Sequence, residues 1–179
     1  MASSAIRATI GLGVLSIVAA SPLALAPAAK AQSHPIGQGW WYGENADPGA
    51  DEGSSFIARA AKGYPSRGSG AGLMIVCQSD VKTLGLIIDW DGPIHSDRFV
   101  EVALRVDQRA PIALTSWHAD RSTSSIFDED AHEIVKEMQR GTRVMHARIT
   151  DRDGDARTLA FDLMGFEEAL LRVLDPCGQ

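Results

Sequence analysis

The sequence predicts an α+β fold: an antiparallel β-sheet or sandwich of about seven strands with two helices, the C-terminal helix tied to the sheet by a disulfide. Three observations predict it. Short apolar runs, most of them alternating with polar residues at period two, recur between residues 55 and 163, as they do in half-buried strands. Two later stretches switch to the i, i+3, i+4, i+7 spacing of amphipathic helices. The only two cysteines, Cys77 and Cys177, fall in the second apolar run and directly after the last helical stretch.

The elements follow in order. Met1 to Ala31 has no acidic residue, carries Arg7 near its start, runs apolar from Ile10 to Ala20 and ends in the small-x-small triplet Ala29-Lys30-Ala31, which reads as a secretory signal peptide over residues 1–31. The apolar run is too short for a membrane span of about 20 residues, and Pro22 and Pro27 interrupt its extension. Cleavage at this point leaves 148 residues, and losing Arg7 and Lys30 takes the net charge from −6 to −8. No basic run remains, so nucleic acid is not an expected partner. Residues 32–54 are rich in Gly, Asp, Glu and Pro and read as an irregular leader. Its Trp40-Trp41-Tyr42 triplet is either a flap over the domain edge or an exposed docking patch.

Residues 55–179 then read as one α+β domain. Ser55 to Ala61 is a first strand, and Tyr64 to Gly72 a loop. The glycines of this loop lead into a strand at Leu73 to Gln78 rather than a helix, so they do not form a phosphate-binding turn. Leu84, Leu86, Ile88 and Trp90 mark a third strand; Val100, Val102, Leu104 and Val106 a fourth; Ile112 to His118 a fifth. Asp128 is placed to cap a helix bearing Ala131, Ile134, Val135 and Met138 on one face, stopped at Arg140-Gly141. Met145, Ala147 and Ile149 pair with Leu159, Phe161 and Leu163 across an Asp153-Gly154 hairpin turn. The final helix, near Phe166 to Leu174, buries Phe166, Ala169, Leu170, Val173 and Leu174. An oxidising compartment favours a Cys77–Cys177 bridge over two free thiols.

The chemical motifs are incomplete. His132-Glu133 begins like a helical zinc-protease signature, but Lys136 stands where the second histidine is needed. Asp151-Arg152-Asp153-Gly154-Asp155 is carboxylate-rich, yet it lacks the 12-residue frame and closing Glu of a calcium loop. Arg105, Asp107, Trp117, His118 and Asp120 gather near strand ends and form the candidate ligand or interaction site; an ordinary polar strand end is the competing reading. No catalytic residue, metal or cofactor is read from the sequence.

The order of Leu73-Met74-Ile75-Val76-Cys77, Leu104-Arg105-Val106-Asp107, Trp117, the helix before Gly141, and Phe161-Asp162-Leu163-Met164-Gly165 leading to Cys177 resembles the VasI or TagO proteins, periplasmic components associated with type VI secretion. The resemblance spans about two-thirds of the expected mature chain. It implies an envelope accessory or adaptor; export, the expected disulfide and the lack of an intact catalytic or cofactor motif point to a non-catalytic module, periplasmic or secreted, whose partner is another envelope protein. A small envelope hydrolase or ligand binder using the strand-end site is the alternative. Oligomeric state is not read from the sequence.

Overall fold

The computed structural model describes residues 32–45, 53–65, 70–78, 81–96 and 98–177. The expected signal peptide lies outside the described residues. Ten strands and two helices follow in the order β1 (Gln32–Gly37), β2 (Trp40–Asn45), β3 (Ser54–Ala60), β4 (Gly72–Gln78), β5 (Thr83–Asp89), β6 (Phe99–Val106), β7 (Ile112–Asp120), β8 (Thr123–Phe127), α1 (Asp128–Gln139), β9 (Val144–Thr150), β10 (Ala156–Asp162) and α2 (Phe166–Cys177). The α+β class, the antiparallel pairing, both helices and the disulfide are therefore as the sequence predicts.

Three strands exceed the expected seven. Residues 46–52 of the expected irregular leader lie outside the described residues, while residues 32–45 are instead ordered as a hairpin of β1 and β2. Its turn is Gln38-Gly39, both at positive φ, the backbone geometry that matches the twist of two-residue hairpins and that glycine adopts without strain. The third addition, β8, is Thr-Ser-Ser-Ile-Phe, too polar to show an apolar alternation. It is reached through a tight turn at Arg121, whose φ of 50° is unusual for a residue with a Cβ. Asp128 does not cap α1 with its side chain; it is the first helical residue, and its Oδ1 accepts a hydrogen bond from Thr83 Oγ1 at 3.3 Å.

All ten strands join one hydrogen-bonded sheet in the order β1-β2-β3-β4-β5-β8-β7-β6-β9-β10. Every ladder is antiparallel. Alternation then gives each strand an inner and an outer face. Inner residues such as Ile57, Ile75, Leu86, Val102, Ala147 and Phe161 are fully buried, and they merge into one core with Ile134 and Met138 of α1 and Leu170 and Val173 of α2. The sheet curls enough to bring β10 back to the end of β3. Lys62 N donates to Ala160 O at 2.7 Å, and Arg59 pairs with Asp162 at 3.7 Å.

The curl explains how α2, which follows the last strand, packs on β2, β3 and β4. The Cys77–Cys177 bridge fixes that arrangement, with a Cα–Cα distance of 5.9 Å across 100 residues of sequence. Both half-cystines are buried in the core. Between β5 and β6 the chain crosses the ends of two intervening strands. Arg157 anchors the crossing by donating to the carbonyls of Trp90, Gly92 and Pro93.

Candidate functional site

The expected strand-end site does not assemble. Trp117 is fully buried in the core, so it is a packing residue rather than a contact surface; its indole Nε1 is buried without a hydrogen-bond partner. Arg105 is exposed near the end of β6. His118 pairs in register with Phe99, at the opposite end of that strand, and six residues of strand separate the two positions by about 20 Å. Asp120 is exposed beyond His118, at the end of β7.

Asp107 has a structural task. Its φ is 51°, and its carboxylate accepts the amides of Thr142 at 2.9 Å, Arg143 at 3.2 Å and Val144 at 3.0 Å. These amides, Thr142 first and then Val144, hold its carboxyl below the usual aspartate range. The group thereby pins the segment leaving α1 to the start of β9.

The two metal-like motifs are also absorbed into the fold. His132 Nδ1 lies 2.7 Å from Asp128 O within α1. Asp151 Oδ1 accepts the amides of Asp153 and Asp155, closing the β9–β10 turn, while Asp153 faces His95 at 2.7 Å. Among the described residues, no three His, Cys, Asp or Glu side chains group around a common point.

The aromatic triplet divides between two faces because β2 alternates. Trp40 points inward and is fully buried, tilted against Phe166 at 5.4 Å and donating from Nε1 to Met164 O at 3.0 Å. Arg59 stacks over its ring and donates to the carbonyls of Gln38 and Met164. Burial pulls the Arg59 pKa down, and Asp162 opposes that shift. Tyr42 is half-buried on the same face, and burial, with Glu44 adding to it, pushes its pKa up to about 12. Of the expected docking patch, Trp40 and Tyr42 thus serve the packing of α2. Trp41 faces the other way.

That other face is the distinctive surface. In one cross-strand row Trp41 opposes Ala58, Ala58 opposes Met74, and Met74 opposes Ile87. In the neighbouring row Gly43 opposes Phe56, Phe56 opposes Val76, Val76 opposes Gly85, and Gly85 opposes Phe127. No charged side chain occupies either row. Most of these residues are half-buried by one another, and Phe127 is 37% exposed. A groove of about 390 Å³ opens over Trp41, Phe56, Ala58, Met74 and Ile87, with Arg59 and Asp89 also in its lining. Beyond β8 the outer face changes character: Glu101, Arg105, His146 and Arg148 of β6 and β9 stand exposed.

Sequence reasoning passed over this face. Its signal was the unbroken apolar runs Leu73-Met74-Ile75-Val76-Cys77 and Leu84-Gly85-Leu86-Ile87-Ile88, a pattern that belongs to strands apolar on both faces. Reading only every second residue hid it.

The molecule is thus defined as a disulfide-bonded α+β domain built on one curled antiparallel sheet, helix-covered inside and half apolar, half charged outside. No protein-family model, curated protein or solved structure matches the chain. Among the described residues, no helix is long and apolar enough to cross a membrane.

Proposed function

We propose that the protein is an exported, non-catalytic accessory or adaptor module of the cell envelope that binds another envelope protein through the outer face of β2, β3, β4, β5 and β8. The observation that carries this reading is the apolar surface made by Phe56, Met74, Val76, Ile87 and Phe127, bordered by Arg59 and Asp89. A sheet face of this composition is normally covered. The paired cysteines support export into an oxidising compartment, as do the signal-like residues 1–31. The resemblance to the VasI or TagO proteins makes a secretion assembly the first place to look for the partner. The rival reading as a hydrolase or ligand binder needs Arg105, Asp107, His118 and Asp120 in one place, and their positions in the sheet give it no support.

The test is crosslinking in the intact envelope followed by mass spectrometry, with Met74→Lys beside the parent chain. A specific partner recovered by the parent and lost by a folded Met74→Lys protein is the expected result. Recovery of no partner, together with turnover of a small substrate, would overturn the proposal.

A further inference from the structure

Cleavage after Ala31 creates a group that the uncut chain lacks, a free α-amine on Gln32. A site built on it rests on the export reading above and not on what the outer face binds. The small-x-small triplet Ala29-Lys30-Ala31 directs the cut to the bond before Gln32. The new terminus is then Gln32-Ser33-His34, and of the chain's five histidines one falls at its third position. When such a terminus wraps, its α-amine, the next two backbone amides and Nδ1 of the third-position histidine converge in one plane and close fused chelate rings. Nitrogen donors in a square plane select Cu(II) or Ni(II), and Cu(II) is the tighter by the general order of divalent affinities. Zn(II), which favours tetrahedral sites, is selected against.

The segment suits this chemistry. Each bound amide must give up its proton, so neither position can be proline. Ser33 and His34 qualify, and the first proline, Pro35, comes one residue too late to interfere. Strand β1 lies at the edge of the sheet, and successive amides of such a strand point alternately toward its neighbour and away from it. One of the Ser33 and His34 amides therefore already faces away from the ladder. His34 is exposed, and its ring stands edge-on to Tyr42 at 5.5 Å. Wrapping the terminus gives up only the pairs Gln32–Glu44, Ser33–Gly43 and His34–Tyr42, at the end of an outermost ladder where opening costs least. Pro35 and the register shift between Pro35 and Gly37 separate these residues from the hairpin turn.

We propose that the mature amino terminus, Gln32-Ser33-His34, binds one Cu(II) ion through the α-amine, the amide nitrogens of Ser33 and His34, and Nδ1 of His34. Binding releases both amide protons to solvent, and another from whatever fraction of the α-amine is protonated. The two amidates balance the charge of the ion, and no electron is transferred.

The test uses the exported protein, stripped of metal with a chelator and titrated with cupric chloride while visible absorption and electron paramagnetic resonance are recorded. Intact mass and mapping of the first peptide identify the terminal residue beforehand. His34→Ala removes the imidazole and Ser33→Pro one amide, whereas His146→Ala removes an exposed histidine of β9 and should leave binding unchanged; thermal melts certify each variant as folded. The expected result is one Cu(II) per chain with a square-planar, all-nitrogen spectrum, undisturbed by excess Zn(II) and weakened at least tenfold in His34→Ala and in Ser33→Pro. Retention of that spectrum in either variant would overturn the proposal. So would a chain that begins at a free Gln32 and binds no copper, an outcome that leaves the export reading standing. A terminus lighter by one ammonia, its amine closed onto the Gln32 side chain, would overturn it as well. A chain that keeps residues 1–31, or that begins elsewhere, would remove the cleavage on which the site depends and the proposal with it.

Discussion

The ring of Phe127 lies directly over Gly85: a Cβ built on Gly85 would stand 2.5 Å from Cε1 and 2.6 Å from Cδ1 of that ring, and 3.0 Å from Val76 Cγ1. The glycine is therefore the seat of an aromatic side chain on the outer face, and it explains how a residue unfavourable to strands occupies the middle of β5. Gly85→Ala should destabilise the fold by about 1–2 kcal/mol through overpacking. In a double-mutant cycle Phe127→Ala should recover most of that loss, because it removes the obstructing ring. Additive losses in urea denaturation would show that the two residues do not interact.

Trp40 and Trp41 are the same residue type on opposite faces, so they should respond differently. Trp40→Ala removes a fully buried side chain and its indole hydrogen bond to Met164, at a cost of about 3–5 kcal/mol. Trp41→Ala should cost much less in stability and weaken partner capture. Equal losses of stability in the two variants would contradict this division of roles.

Breaking the Cys77–Cys177 bridge should cost about 2–5 kcal/mol and act on α2 first. Hydrogen exchange in Cys77→Ala should quicken through 166–177 more than in α1, since the bridge ties the end of α2 to β4. Unchanged protection of α2 would remove the bridge as its anchor. Thiol titration of the denatured, unreduced protein should find no free cysteine.

Asp107 makes acid stability a site-specific question. Its carboxyl pKa is lowered in the fold, so its contribution is fully present above the unfolded value, about 3.9, and is lost as pH falls through the lower folded value. Denaturant midpoints measured from pH 6 down to pH 2 should fall more steeply for the parent chain than for Asp107→Ala. The variant should also lose about 1–2 kcal/mol at neutral pH, where the amides of Thr142, Arg143 and Val144 lose an ionised acceptor. Parallel pH profiles would assign the stabilisation elsewhere.

The legible parts of the fold were those where one physical signal dominated. Val100, Val102, Leu104 and Val106 face the core, and the charged Glu101 and Arg105 face solvent, so alternation marked β6 without ambiguity. Asp153-Gly154 marked its hairpin turn for a similar reason, with Gly154 at a φ of 84°. The leader was obscured by its glycines, which suggest a loop but at Gly39 make a hairpin turn. Strand β8 was obscured by Ser124 and Ser125; the first is buried because it accepts a hydrogen bond from Trp90 Nε1 at 2.9 Å. The strand-end candidates failed because residues near in sequence diverge: Asp107 turns back to hold 142–144, and Trp117 turns into the core. The apolar outer face was written in the residues between the core positions, and only the register of five strands shows that those residues meet.

The central claim, that this face is covered in the cell, is tested most directly by hydroxyl-radical footprinting of the protein in the intact envelope against the purified chain. Met164 and Phe99, 58% and 56% exposed and outside the patch, serve as internal references. Met74, Val76 and Phe127 should be protected in the envelope while the two references label equally in both settings. Equal labelling of Met74 and Phe127 in both settings would contradict the account.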